Sequence, residues 1–334
     1  MFEIGKIPPE ILERIVMNPM MASKVKREDV LLRPATGEDC SAIDLGGEIC
    51  ILSTDPITGA AKDIGYLAVQ INCNDIYSAG AEPMGVLLTV LLPPESTEEL
   101  LEEIMGGALK AAEELHIEIL GGHTEVTDAV CKPLISAAVI GKTRGRKMIS
   151  TGSARAGQAV VMTKWAGTEG TAILAKEWEE GLKAYLSEEE LQEAQAMKEF
   201  LSVGKESEIA FRHGATAMHD ATEGGILGAV WEVAECSGLG VEVFADAIPM
   251  KAVTRKICAA MGIDPLRLIS SGTMIIGTDD GEGLVKALQA EGIEAAVIGR
   301  LTEGEKLLQQ NGRTMPLEQP KSDALYDAKL PKQA

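Results

Sequence analysis

Segments of strand length and segments of helical period alternate along the first half of this chain, and that alternation confines it to a layered architecture. Residues 48–53 (Glu-Ile-Cys-Ile-Leu-Ser) read as a strand ending at Thr54-Asp55-Pro56, and residues 84–92 as a strand stopped by Pro93-Pro94. Between them, residues 63–80 read as a helix with Ile64, Leu67, Ala68, Ile71 and Ile76 apolar. The strongest helix signal covers 97–115. Ser96 and Glu99 stand at capping-box spacing, and Leu100, Leu101, Ile104, Met105, Ala108, Leu109 and Ala112 line one face. Strands at 117–120 and 134–141 flank a loop at Gly121-Gly122-His123-Thr124-Glu125. Each element must bury its apolar side against another layer, so this order predicts an α/β or α+β domain.

The second half repeats the alternation. Strands are expected at 158–163, 240–244, 273–277 and 295–299, and helices at 168–178, 188–201, 205–213, 225–236, 250–261 and 281–290. Ser187 and Glu190 form a second capping box. A chain of 334 residues is long for one core. The polar, glycine-rich stretch 142–156 is the natural divide, giving domains of 1–146 and 147–315 and an extended tail of 316–334. A short helix with Ile11, Leu12, Ile15 and Val16 is expected behind Pro8-Pro9.

The net charge of −20 repels nucleic-acid phosphates and anionic membranes, and no basic cluster reverses it locally. It remains compatible with a nucleotide that arrives with Mg²⁺. None of the six cysteines forms a C-x-x-C pair, and no Cys/His spacing suggests zinc. The start of the chain lacks the pattern of a signal peptide and no apolar stretch is of bilayer length, so a cytoplasmic location is expected.

Acidic residues cluster where strands and helices meet: Gly37-Glu38-Asp39, Asp55 at a strand end, Asn72, Asn74 and Asp75 inside an apolar helix, and Glu125 after Gly121-Gly122. Carboxylates from separate elements suit Mg²⁺, which takes hard oxygen ligands and leaves positions for phosphate. An Asp after a strand also serves as a cap or turn former. Asp75 is the exception, because a polar run in an apolar helix costs propensity and burial. Glycine-rich segments at Gly121-Gly122, Gly167-Thr168-Glu169-Gly170, Gly224-Gly225 and Ser270-Ser271-Gly272 offer backbone amides to phosphate, although none has the Walker pattern. His219-Asp220-Ala221-Thr222-Glu223-Gly224-Gly225 is the densest polar motif of the second half, with His219 and Asp220 read as facing a substrate across a domain cleft. Cys73 reads as a small buried hydrophobe.

Taken in order, several strings resemble one superfamily. They are Gly37-Glu38-Asp39-Cys40-Ser41-Ala42, Ser53-Thr54-Asp55-Pro56, Asp63-Ile64-Gly65, Asn74-Asp75-Ile76-Tyr77-Ser78-Ala79-Gly80-Ala81-Glu82-Pro83, Gly121-Gly122-His123-Thr124-Glu125, Asp220-Ala221-Thr222-Glu223-Gly224-Gly225 and Ser270-Ser271-Gly272-Thr273. The superfamily is that of aminoimidazole ribonucleotide synthetase, formylglycinamidine ribonucleotide synthetase, selenophosphate synthetase, thiamine-monophosphate kinase and the hydrogenase maturation protein HypE. The chain is most similar to the HypE-like, aminoimidazole ribonucleotide (AIR) synthase-related branch. The resemblance implies a two-domain α+β, AIR synthase-like (PurM-like) fold, with the N-terminal domain dimerising through its sheet. It implies ATP and Mg²⁺ as cofactors, bound near the dimer interface. Carried over by position, Asp39, Asp55 and Asp75 would hold the metal, with Glu125 as a further ligand because His123 stands where most relatives have a carboxylate. Gly37, Thr54, Asn74, Gly121, Gly122 and Thr124 would line the nucleotide, and Asp220, His219 and His123 would serve the chemistry. The implied reaction is ATP-dependent phosphorylation of an oxygen on a small-molecule acceptor, as product or as activation. A HypE-like accessory role on a partner protein and a non-catalytic nucleotide-binding module are the alternatives. HypE proper ends in a carbamoyl-accepting cysteine, whereas this chain ends Leu330-Pro331-Lys332-Gln333-Ala334.

Overall fold

The computed structural model describes residues 9–58, 62–319 and 322–330. Pro8 and the last four residues, which figure in the expectations above, lie outside this range. The described residues begin with α1 (Pro9–Leu12), a π-helical turn and α2 (Asn18–Met21). Ile15, Val16, Met20 and Met21 on this segment are exposed.

The first sheet contains β1 (Val30–Leu32), β2 (Ser41–Asp44), β3 (Ile49–Ile57), β4 (Ala81–Leu92), β5 (Glu118–Val126) and β6 (Leu134–Thr143), in the order β1-β2-β3-β6-β4-β5. Its helices are α3 (Ile64–Ser78) and α4 (Glu98–Leu115). The parallel pair β4 and β5 is joined through α4, since a parallel pair needs a crossover and a helix supplies one. Every residue of α3 except Tyr77 is buried, as expected of a helix covered on all sides. Gly65 lets α4 come in close, because a Cβ there would sit 1.9 Å from the Ile104 carbonyl oxygen.

The second half forms β7 (Ala159–Thr163), α5 (Thr168–Glu177), α6 (Glu179–Leu182), α7 (Glu188–Ala196), α8 (Gly204–Arg212), β8 (Ala217–Asp220) and α9 (Gly225–Cys236). It continues with β9 (Gly240–Phe244), α10 (Ala252–Met261), β10 (Met274–Thr278), α11 (Gly281–Ala290), β11 (Ala295–Thr302), β12 (Lys306–Gln310) and β13 (Arg313–Pro316). The sheet order is β13-β12-β9-β11-β7-β10-β8. The sheet edge formed by β8 faces α3 of the first layer: Ser78 on α3 donates to Asp220 on β8 at 3.2 Å.

Four expectations need correction. The strand at 48–53 does not stop at Thr54 but runs to Ile57. Pro56 is tolerated because β2 pairs only with residues 49–52, leaving that stretch of β3 bonded to β6 alone. Gly121–Glu125 is not a loop but the middle of β5, an edge strand. Thr97, not Ser96, caps α4, accepting from the Leu100 amide at 3.3 Å, while the buried Ser96 hydroxyl has no partner. The tail is not simply extended: Asp323 is buried and accepts from Gly224 N at 2.7 Å and Ile269 N at 3.1 Å, pinning the start of α9. The Ser187–Glu190 capping box forms as expected.

Candidate functional site

The polar run in α3 divides by helical spacing into two faces. Asn72 and Asp75, three apart, address β3: the Asn72 Oδ1 accepts from the Asp55 amide at 2.7 Å, and Ser53 Oγ donates to Asp75 Oδ2. Asn74 and Ser78, four apart, address the second layer. Asn74 Nδ2 donates to Leu201 O at 2.8 Å and its Oδ1 accepts from Val203 N at 3.1 Å. Asn74 therefore has both ends of its amide committed to the 201–203 loop, and it holds the two halves together instead of lining a nucleotide. Lys164 grips the same loop, donating to Phe200 O at 2.8 Å and Ser202 O at 2.6 Å, and pairs with Glu206 at 2.6 Å with both side chains buried.

Around this junction stand Asp39, Asp55, Asp75 and Asp220. Burial raises the Asp75 carboxyl well above the carboxylate range, and the charges of Asp220, Asp55 and Asp39 add to it. Burial and the Asp39 charge push Asp220 up to about 7. Asp220 Oδ2 is buried without a hydrogen-bond partner. An unpartnered oxygen and crowded negative charge around the buried Asp75 and Asp220 are costly unless a cation arrives, and the donor set is oxygen only, as Mg²⁺ requires. These residues fit that ion, with phosphate oxygens left to complete the shell. Among the described residues no three His, Cys, Asp or Glu side chains are already arranged as a closed metal cage.

His219 does not face a cleft. It is 3% exposed, with Nδ1 2.8 Å from Asp39 Oδ2 and Nε2 3.0 Å from Glu232 Oε2. Burial alone would lower its pKa, but the two carboxylates outweigh burial and hold the ring protonated. Both ring nitrogens are then donors, so His219 orients Asp39 and is not a free base. Thr151 Oγ1 lies 3.4 Å from the same Asp39 oxygen.

The remaining expectations separate by position. Thr54 Oγ1 donates to Ala137 O at 2.8 Å, so its hydroxyl serves the sheet. Gly37 has φ +80°, and a Cβ there would lie 2.9 Å from the Glu232 carbonyl oxygen, so this glycine seats the acidic loop on α9. Gly121 and Gly122 have φ +132° and +143°, next to a register shift between Val86 and Leu87; a Cβ on Gly122 would lie 1.8 Å from Leu88 O. Strand geometry thus accounts for both. His123, Thr124 and Glu125 are exposed on β5, with His123 Nε2 3.1 Å from Glu125 Oε2. The register Asp55–Ala137–Leu88–Gly122 puts β5 three strands from Asp55, about 14 Å across the sheet. Within one protomer Glu125 and His123 do not reach the carboxylate group.

Asn72, Ser53 and Ser78 stood in the motifs read from the sequence without a role in the site, and Glu232 was not singled out. Glu232 had a signal, a carboxylate inside the apolar run of α9.

A two-sheet α+β fold in which carboxylates from both halves meet at one junction defines a class of two-domain proteins. The AIR synthase related protein N-terminal domain matches residues 37–143 and the corresponding C-terminal domain matches 155–308. The chain belongs to the AIR synthase-related superfamily, and its similarity is HypE-like. It is 28% identical over 313 residues to a protein of Methanocaldococcus jannaschii named for hydrogenase expression and formation, covering 90% of both chains. It is 28% identical to carbamoyl dehydratase HypE of Rhizobium leguminosarum bv. viciae, over 82% of this chain and 79% of that one. Its fold is similar to that of HypE in the HypE–HypF complex (TM-score 0.73, 21% identity, 92% and 100% of the two chains). It is also similar to AaThiL complexed with AMPPCP and TMP (TM-score 0.72, 19% identity, 93% and 97%). Among the described residues no helix is long and apolar enough to cross a membrane.

Proposed function

We propose that this protein binds Mg-ATP at the junction of Asp39, Asp55, Asp75 and Asp220 and transfers the γ-phosphoryl group to an oxygen of a small acceptor molecule in the cytoplasm. The phosphorylated species is either the product or an activated intermediate. The observation that carries this reading is the meeting of four carboxylates from both halves, with Asp220 Oδ2 buried and unpartnered. The AMPPCP bound to AaThiL and the dehydratase name of HypE support it by similarity.

Asp39, Asp55 and Asp75 are the residues that would hold Mg²⁺, which would supply neutralisation of the charge developing on the transferred group. The chain itself supplies positioning. Asn72 fixes the Asp55 backbone, His219 fixes the Asp39 carboxylate, and Ser53 fixes Asp75. Asp220, bonded at Oδ1 by Ser78 and without a hydrogen bond at Oδ2, would accept the acceptor's proton as the acceptor oxygen bonds to phosphorus and the bond to ADP breaks. His123, Thr124 and Glu125 would approach the nucleotide from a partner protomer, paired through the first sheet.

Calorimetric titration with ATP, with and without Mg²⁺, is the test. Binding that requires Mg²⁺ is expected, followed by acceptor-dependent ADP release. Absence of binding under both conditions would overturn the reading.

A further inference from the structure

A cavity of about 220 Å³ lies where the start of α3, one face of α5 and the end of α7 meet. Glu169, Ala172, Ile173 and Lys176 line it from α5, at positions i, i+3, i+4 and i+7 of a single helical stripe. Leu67 closes it from α3. Lys62, Asp63 and Lys198 stand around it, but Lys198 is paired with Asp63 at 3.1 Å and Lys62 Nζ donates to Lys176 O at 3.3 Å.

Two groups in this cavity lack partners. Glu169 is 3% exposed and its Oε2 makes no hydrogen bond, although it sits in the first turn of a ten-residue helix. At the other end, the Lys176 ammonium has no carboxylate partner among the described residues. Seven residues of helix separate the two ends, about 10 Å. A buried polar atom without a partner is costly, and a ligand that supplies the missing hydrogen bond removes that cost.

The volume is below the roughly 300–1,000 Å³ of pockets for drug-sized ligands, so a nucleotide does not belong here. The place lies near the carboxylate junction: Gly167, at the start of α5, donates to Ser270 Oγ at 2.8 Å, and Ser270 N donates at 3.4 Å to the carbonyl of Thr222, two residues from Asp220. We propose that this cavity is the acceptor pocket, and that it takes a small elongated molecule with a hydroxyl or amide on Glu169 and a carboxylate or phosphate on Lys176. The middle of the molecule rests on Leu67, Ala172 and Ile173. The acceptor role rests on the reading of the carboxylate junction as a phosphoryl-transfer site; the binding site itself does not.

Three probes carry the required ends: glycerol 3-phosphate, glutamine and 4-hydroxybutyrate. Ligand-observed NMR titration on the full chain should show saturable binding of at least one. Lys176→Met should weaken it about tenfold or more and Ala172→Phe, which fills the cavity, should abolish it. Both variants should bind Mg-ATP as the unaltered protein does, which also reports that they are folded. If the unaltered protein binds Mg-ATP but none of the probes, the pocket is wrong. The same follows if probe binding is indifferent to both substitutions. If a probe binds with the expected sensitivities and Mg-ATP never does, the acceptor role falls together with the proposed reaction.

Discussion

Asp55 has its backbone bonded at both N and O to Asn72, and its charge bears on Asp75 and Asp220. Asp55→Asn keeps the shape of the side chain and removes the charge. It should lower Mg-dependent ATP turnover by about a hundredfold or more while leaving the melting temperature nearly unchanged. Undiminished turnover would take Asp55 out of the site. Glu169 gives a different signature. Burial pushes its carboxyl up to about 8 from an ordinary 4.5. Between those values the folded chain keeps a proton that the unfolded chain has lost. Its contribution to stability is therefore present at low pH and drains away as pH rises toward 8. Glu169→Gln cannot ionise, so its stability relative to the unaltered protein should rise by roughly 3 kcal/mol from pH 5 to pH 8. Urea denaturation across that range would show it, and a flat or opposite trend would refute the burial argument.

At the scale of elements, the ends of α4 separate a spacing rule from a geometry. Ser96 and Glu99 have capping-box spacing, yet the hydroxyl that receives the Leu100 amide is that of Thr97. Thr97→Ala should cost about 1 kcal/mol, whereas Ser96→Ala, at an unpartnered hydroxyl, should be neutral or slightly stabilising. Equal losses in a denaturation series would contradict the assignment. Most helices of the second half were legible because a 3.6-residue stripe survives whatever packs on it. β8, β12 and β13 were not: β12 (Lys-Leu-Leu-Gln-Gln) and β13 (Arg-Thr-Met-Pro) carry too few apolar residues to read as strands. β8 is buried along its whole length, so alternation is absent there.

For the whole molecule, the first sheet leaves an uncovered apolar surface. Met84 and Leu87 on β4 and Leu120 and Val126 on β5 are each more than two-fifths exposed. β5 also presents an unpaired edge, a liability that a second copy would cover. Leu87→Glu should convert a dimer to a monomer in light scattering and reduce Mg-ATP turnover with it, since Glu125 and His123 are too far from Asp55 within one protomer. A monomeric unaltered protein with full activity would rule out this arrangement.

The sequence by itself determined the alternation of layers, most helices and the order of acidic motifs, including Asp39, Asp55, Asp75 and Asp220. These depend on period, turn chemistry and the cost of a polar run in an apolar helix, all of which act within a few residues. Only the tertiary structure decided that His219 is a buried clamp, that Asn74 ties the halves together, and that Glu125 lies away from the other carboxylates. The His219–Asp39 contact spans 180 positions of the chain. No local pattern encodes such a contact, because its energy comes from what burial brings together and from the charge that burial leaves without water.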